Sequence, residues 1–119
     1  MLRLVRGKSG KSVLMNLLYR GTENSKFISI STGNDTHVSS IEGDCYNIHI
    51  SLLEELLKQI VNKLIIDKVS SVFIYGNFDV DTVEIFKDIH MLADGRLNLT
   101  VSIQDKYIQQ NYLLLEEIY

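Results

Sequence analysis

Seven residues near the start of the chain, Arg6-Gly7-Lys8-Ser9-Gly10-Lys11-Ser12, combine the side chains of this sequence best suited to chemistry. Gly7 and Gly10 allow a tight backbone turn, Lys11 supplies a flexible ammonium, and Ser12 supplies a hydroxyl able to ligate a cation. Leu2-Arg3-Leu4-Val5 ahead of the run reads as a short strand. From Lys11 to Arg20, Val13, Leu14, Leu17 and Leu18 recur at helical spacing, so the run is a strand-to-helix turn. The first amides of a helix lack intrahelical partners and lie at the positive end of its dipole, which makes such a turn an anion site. A phosphate group uses all of these parts. The amides from about Lys8 to Ser12 wrap it, Lys11 reaches its outer oxygens and Ser12 ligates Mg²⁺.

The elements that must position this loop alternate along the chain. Gly21 is expected to end the first helix as a left-handed cap. Phe27 to Ile30 reads as a second strand, followed by a loop rich in Ser, Thr, Gly, Asn and Asp up to Asp44, and then a short strand from Cys45 to Ile50. Ser51 with Glu54 forms a capping box for a long helix reaching about Lys68, with Leu52, Leu53, Leu56, Leu57, Ile60, Val61, Leu64 and Ile65 on its apolar face. Val72-Phe73-Ile74-Tyr75 is a continuous apolar run and predicts a central strand buried on both faces. Asp81 and Glu84 repeat the capping pattern ahead of a helix marked by Val83, Phe86, Ile89 and Leu92 and stopped at Gly95. Leu97 to Ile103 predicts another strand, and Tyr107 to Tyr119 a last helix. The order β-α-β-(β)-α-β-α-β-α predicts one α/β domain over residues 1–119, a three-layer sandwich with a mainly parallel sheet of about five strands. A chain of 119 residues can bury such a core without disulfides. Ligands bind such sheets at the carboxyl ends of the strands, where the glycine loop falls.

Gly10-Lys11-Ser12 between a strand and a helix resembles the first motif of the P-loop NTPase superfamily, Gly-x-x-x-x-Gly-Lys-Ser/Thr. Val5 stands at the place of the first glycine and Gly7 follows two residues later, so the loop is a shortened form. A second family form, a basic residue and then Gly-x-x-Gly-Lys-Ser/Thr, fits Arg6 to Ser12, with Lys8 where a second glycine is usual. The resemblance implies a P-loop fold that binds ATP or another NTP with Mg²⁺, Lys11 lying at the β- and γ-phosphates.

From Leu2 to Gln104 the layout is similar to the RecA-like and replicative-helicase branch. That likeness implies that Gln104, at the tip of Leu99-Thr100-Val101-Ser102-Ile103, senses the γ-phosphate, and that the protein is a weak ATPase or nucleotide-dependent switch in nucleic-acid transactions. A glutamate commonly follows the second strand in that branch; Ser31-Thr32 stands there. An NTPase also needs a metal-holding carboxylate at the end of a central strand. Here that strand runs into Gly76-Asn77, which leaves Asp79, followed by Asp81, as the nearest metal ligand to join Ser12. Asp35, Glu42 and Asp44 are loop acids available to replace the missing base. Two readings stand: a nucleotide-binding protein whose site is completed by a neighbouring subunit in a homo-oligomer, and a catalytically silent module that acts by binding another protein.

Charge and composition limit the alternatives. Residues 1–26 carry six cations against Glu23 alone, a charge of +5, so the rest carries −8 of the net −3. The basic end suits a phosphate-bearing ligand, while the acidic remainder argues against a broad nucleic-acid surface and leaves only a local contact open. The lone Cys45 forms no internal bridge and no signal-like segment opens the chain, so a cytoplasmic location is expected. Charges interrupt every apolar run, so no membrane span is expected. His37, His49 and His90 lack the paired spacing of a metal set, and no Gly-x-Ser-x-Gly elbow is present for acyl transfer.

Overall fold

The computed structural model describes residues 1–7, 9–32, 43–105 and 113–118. Its strands are β1 (Leu2–Gly7), β2 (Ser25–Thr32), β3 (Asp44–Ile48), β4 (Ser71–Tyr75), β5 (Asn98–Gln104) and β6 (Leu113–Glu117), and its helices α1 (Lys11–Arg20), α2 (Leu53–Ile66) and α3 (Val83–Ala93). The six strands form one sheet in the order β3-β2-β4-β5-β1-β6. The first five are parallel and β6 runs antiparallel to β1. The α/β class and the mostly parallel sheet are as expected from the sequence.

Strand alternation separates two cores. Leu4, Ile28, Ile30, Val72, Ile74, Leu99, Val101 and Ile103 pack with Leu53, Leu57, Val61, Phe86 and Ile89 of α2 and α3. On the opposite face Val5, Phe27 and Phe73 pack with Met15 of α1. Tyr19 closes that smaller core, its ring edge-on to Phe27 and Phe73. In β2 and β5 the period is legible in the letters: isoleucine, leucine and valine point to the two-helix face, while Ser29, Ser31, Thr100 and Ser102 point to the α1 face and are buried there. Val72 and Phe73 lie on opposite faces, so β4 is buried on both sides as its apolar run implied.

Several expectations are corrected. Residues 113–117 form a strand and not the end of a helix, because Leu-Leu-Leu-Glu-Glu has no helical period and the open edge of β1 supplies a ladder partner; residues 107–112 and 119 lie outside the described residues. In α1 the buried positions are Lys11 and Met15; Leu14 and Leu18 of the expected face pack against the smaller core, while Val13 and Leu17 are exposed, so the helix is rotated away from those two. Gly21 caps α1 with φ −86°, without the left-handed turn. Neither expected capping box forms. A single 3₁₀ turn precedes both α2 and α3 and moves the cap upstream: the His49 ring accepts from the Ser51 amide, and Asp79 accepts from the Asp81 amide. Glu54 and Glu84 instead pair along their own helices with Lys58 and Lys87.

β4 is fastened to its neighbours by Gly76. The Ser102 hydroxyl donates to the Gly76 carbonyl and accepts from its amide, both at 3.0 Å. A Cβ at Gly76 would stand 2.6 Å from the Ile30 carbonyl oxygen and 2.7 Å from the Phe78 ring. The backbone oxygen cannot give way cheaply, so Gly76→Ala should destabilise the fold by on the order of 2 kcal/mol in urea unfolding followed by circular dichroism.

Candidate functional site

β1 ends at Gly7 and α1 begins at Lys11, so the described part of the turn between them is Ser9 and Gly10. Gly10 sits at the N-cap with φ 80° and ψ 1°, in the left-handed region that a side chain disfavours. Its carbonyl accepts from the Leu14 amide at 3.1 Å, which starts the helical ladder. No side chain caps α1, and no acidic residue occupies its first turn. The amides of that turn keep the positive end of the helix open to an anion.

Lys11 turns inward. It is only 7% exposed, and its Nζ donates to the Gly7 carbonyl at 2.7 Å, closing the loop on itself. Burial alone lowers its pKa; no carboxylate contributes to hold the charge. An ammonium in this position is bonded but not neutralised, at the end of a helix whose dipole also disfavours it. Ser12, half-buried at the next position, accepts at its backbone carbonyl from the Asn16 side-chain amide at 2.9 Å.

Two other cations of the basic segment, Arg6 and Arg3, are committed elsewhere. Arg6 Nη2 meets Asp105 Oδ2 at 2.7 Å and Nη1 meets Glu116 Oε2 at 3.0 Å. Arg3 donates to the Thr100 hydroxyl through Nε and Nη2, at 3.2 and 3.0 Å. The +5 segment is therefore not a uniform phosphate-attracting surface. The acids that bind Arg6 come from the end of β5 and from β6, about 100 residues away in sequence, and no local spacing announces them.

Gly7 and Gln104 are register partners in the parallel β1–β5 ladder, so Gln104 stands beside the glycine loop, exposed at the carboxyl edge of the sheet. Its amide donates to the Phe78 carbonyl at 2.7 Å. β1 leaves the sheet toward α1 on one face and β4 leaves toward α3 on the other, which opens a crevice with β5 at its floor. Gly7, Ser9, Gly10, Lys11, Ser12 and Gln104 thus gather at one place; Lys8 lies outside the described residues.

Asp79 is on the α3 side of that crevice. Two strand spacings separate the Phe78–Asp79 backbone from Gly7, roughly 10 Å. Asp79 Oδ1 accepts from the Asp81 amide at 3.0 Å, and both acids line a groove of about 470 Å³ with Thr32, Asn77 and Ile85. Lys11 and Ser12 are not part of that lining. Among the described residues no three His, Cys, Asp or Glu side chains gather as a metal set, so the donors present fit a phosphate better than they fit a resident cation. Asp35 and Glu42 lie outside the described residues, and Asp44 is exposed on β3. No helix among the described residues is long and apolar enough to cross a membrane.

The lowered Lys11 pKa has a definite sign in stability. The folded chain releases this proton at a lower pH than the unfolded chain, whose value is near 10.5. Between those two values the unfolded state binds more protons, so stability rises with pH across that window, and the penalty is fully present below it. Lys11→Met should remove this rise, so that urea unfolding of both chains at neutral and alkaline pH finds it only in the chain that keeps the lysine.

Compared with protein-family models, with curated proteins and with solved structures, the chain matches none.

Proposed function

We propose that the Gly7–Ser12 turn binds the phosphate chain of a nucleotide, ATP or another NTP together with Mg²⁺, in the manner of a shortened P-loop. The observation that carries this reading is Lys11: a buried ammonium that, among the described residues, is bonded to the Gly7 carbonyl and paired with no acid, at a helix N-terminus that no described side chain caps. A phosphate oxygen would supply the missing negative charge, and the first-turn amides would share it. Ser12 would contribute its hydroxyl to a magnesium ion whose other ligands are phosphate oxygens and water. Gln104, beside Gly7, would face the outer phosphate. A part in nucleic-acid transactions rests on the resemblance to the RecA-like branch alone.

Hydrolysis is the less supported half. Asp79 is engaged at one oxygen in capping, and its groove excludes Lys11 and Ser12. That observation favours a second reading, a module that binds nucleotide weakly or not at all and acts through a protein partner, over an efficient ATPase. A nucleotide-dependent switch would be consistent with both the buried Lys11 and the distance of Asp79 from it.

Calorimetric titration with ATP, GTP and ADP, with and without Mg²⁺, separates the readings. Nucleotide binding strengthened by Mg²⁺ is expected, and Lys11→Ala should weaken it by about 10- to 100-fold, the value of one charge-assisted hydrogen bond. Asp79→Ala should leave most of the affinity in place. Absence of binding at millimolar nucleotide would refute the phosphate reading and leave the interaction module.

A further inference from the structure

We propose that β6 is a dimerisation edge that pairs antiparallel with β6 of a second copy of this chain, about a two-fold axis at Leu114. The inference goes beyond the phosphate reading and does not depend on it.

The two edges of the sheet differ. β3 presents Asp44-Cys45-Tyr46-Asn47-Ile48, with the charge and polarity that protect an edge from pairing. β6 presents Leu113, Leu114 and Leu115, exposed at 36%, 44% and 43%. Its ladder to β1 occupies one side of its backbone, and β6 is the last strand of the described sheet. The chain has no proline to block the other side. Leu113 and Leu115 are register partners of Gly7 and Val5 and so take the α1 face, while Leu114 takes the two-helix face. α1 adds exposed Val13 and Leu17 on the first of these faces. Among the described residues no strand pairs with the outer side of β6, and leucines on both faces beside that edge are covered together by a strand that is itself apolar on both faces.

Charge selects the second copy as that strand. The acids of β6, Glu116 and Glu117, lie only at its carboxyl end. In an antiparallel pair centred on Leu114, Leu113 of each copy opposes Leu115 of the other, and the glutamates project from opposite ends. The two Glu116 side chains are then four residues apart along the strand, about 14 Å, well beyond the Debye length of about 8 Å at physiological salt. Arg6 already holds Glu116 within each copy. The pairing is isologous: it closes both apolar edges at once and leaves the polar β3 edges outward. It also brings the interface against the glycine loop, because the Leu113 side chain lies 3.4 Å from where a Cβ on Gly10 would stand.

Sedimentation velocity of the unliganded full chain over micromolar to submillimolar concentrations tests this without reference to nucleotide. A monomer–dimer equilibrium is expected, shifted to monomer by Leu114→Lys with an unchanged far-UV circular dichroism spectrum. Leu114→Cys in a Cys45→Ser background serves if the lysine variant fails to fold: residue 114 faces its own copy, so mild oxidation should yield a disulfide-linked dimer. A chain that stays monomeric at every concentration overturns the proposal. So does a dimer that Leu114→Lys leaves intact or that Leu114→Cys fails to cross-link, since it would use another surface.

Discussion

The bond from the Lys11 ammonium to the Gly7 carbonyl is the interaction around which the carboxyl edge of the sheet is arranged. It requires Gly10 to turn in the left-handed region, so that α1 starts with its first side chain folded back under the loop. It requires Met15, one turn later on the same stripe, to enter the core between Val5, Phe27 and Phe73. A leucine-first packing of α1 would have put Lys11 in water and Val13 or Leu17 inside. The fold does the reverse, leaving two apolar residues exposed and one charge buried. Burying an unneutralised cation is costly, so a compensating group is the natural complement of this arrangement.

Arg6 and Lys11, five residues apart, show two different treatments of positive charge. Arg6 is half-buried on the two-helix face and matched by two carboxylates, which ties β1 to the end of β5 and to β6. Its hydrogen bonds to Glu116 and Asp105 hold the guanidinium protonated. Among the described residues Lys11 receives a carbonyl and no acid, and burial draws its pKa down. Electrostatic attraction therefore ties the edge of the sheet together at Arg6, while Lys11 is held by a neutral carbonyl. Gln104 stands beside the glycine loop, while Asp79 and Asp81 line a groove on the α3 side, of which neither Lys11 nor Gln104 is part.

Much of this was legible in the sequence because it depends on local period and local turn chemistry. The strand-loop-helix around Gly7 to Ser12, the amphipathic stripe of α2 and the apolar run of β4 follow from neighbouring letters. The contacts that depend on distant residues were not. Nothing around Arg6 points to Asp105 or Glu116, and nothing in Leu113–Glu117 reveals that β1 offers it a ladder edge. The caps were misread for a local reason: a 3₁₀ turn inserts before α2 and α3, so His49 and Asp79 take the place of Ser51 and Asp81. The inward turn of Lys11 was hidden because hydrophobic spacing favours the leucines of α1, and only the loop closure at Gly7 shows why the lysine goes inside.

The central claim is that Lys11 is buried without an acid because a phosphate completes its charge. Titrating the Lys11 ammonium by NMR, with the lysine side chains isotope-labelled and Lys11→Met used for assignment, measures this at the atom concerned. In the unliganded protein its pKa should lie below the ordinary lysine value. Saturation with pyrophosphate or ATP should raise it, since the anion stabilises the charged form. A Lys11 pKa that ignores saturating phosphate ligands would contradict the account and make the buried ammonium a purely structural closure of the loop.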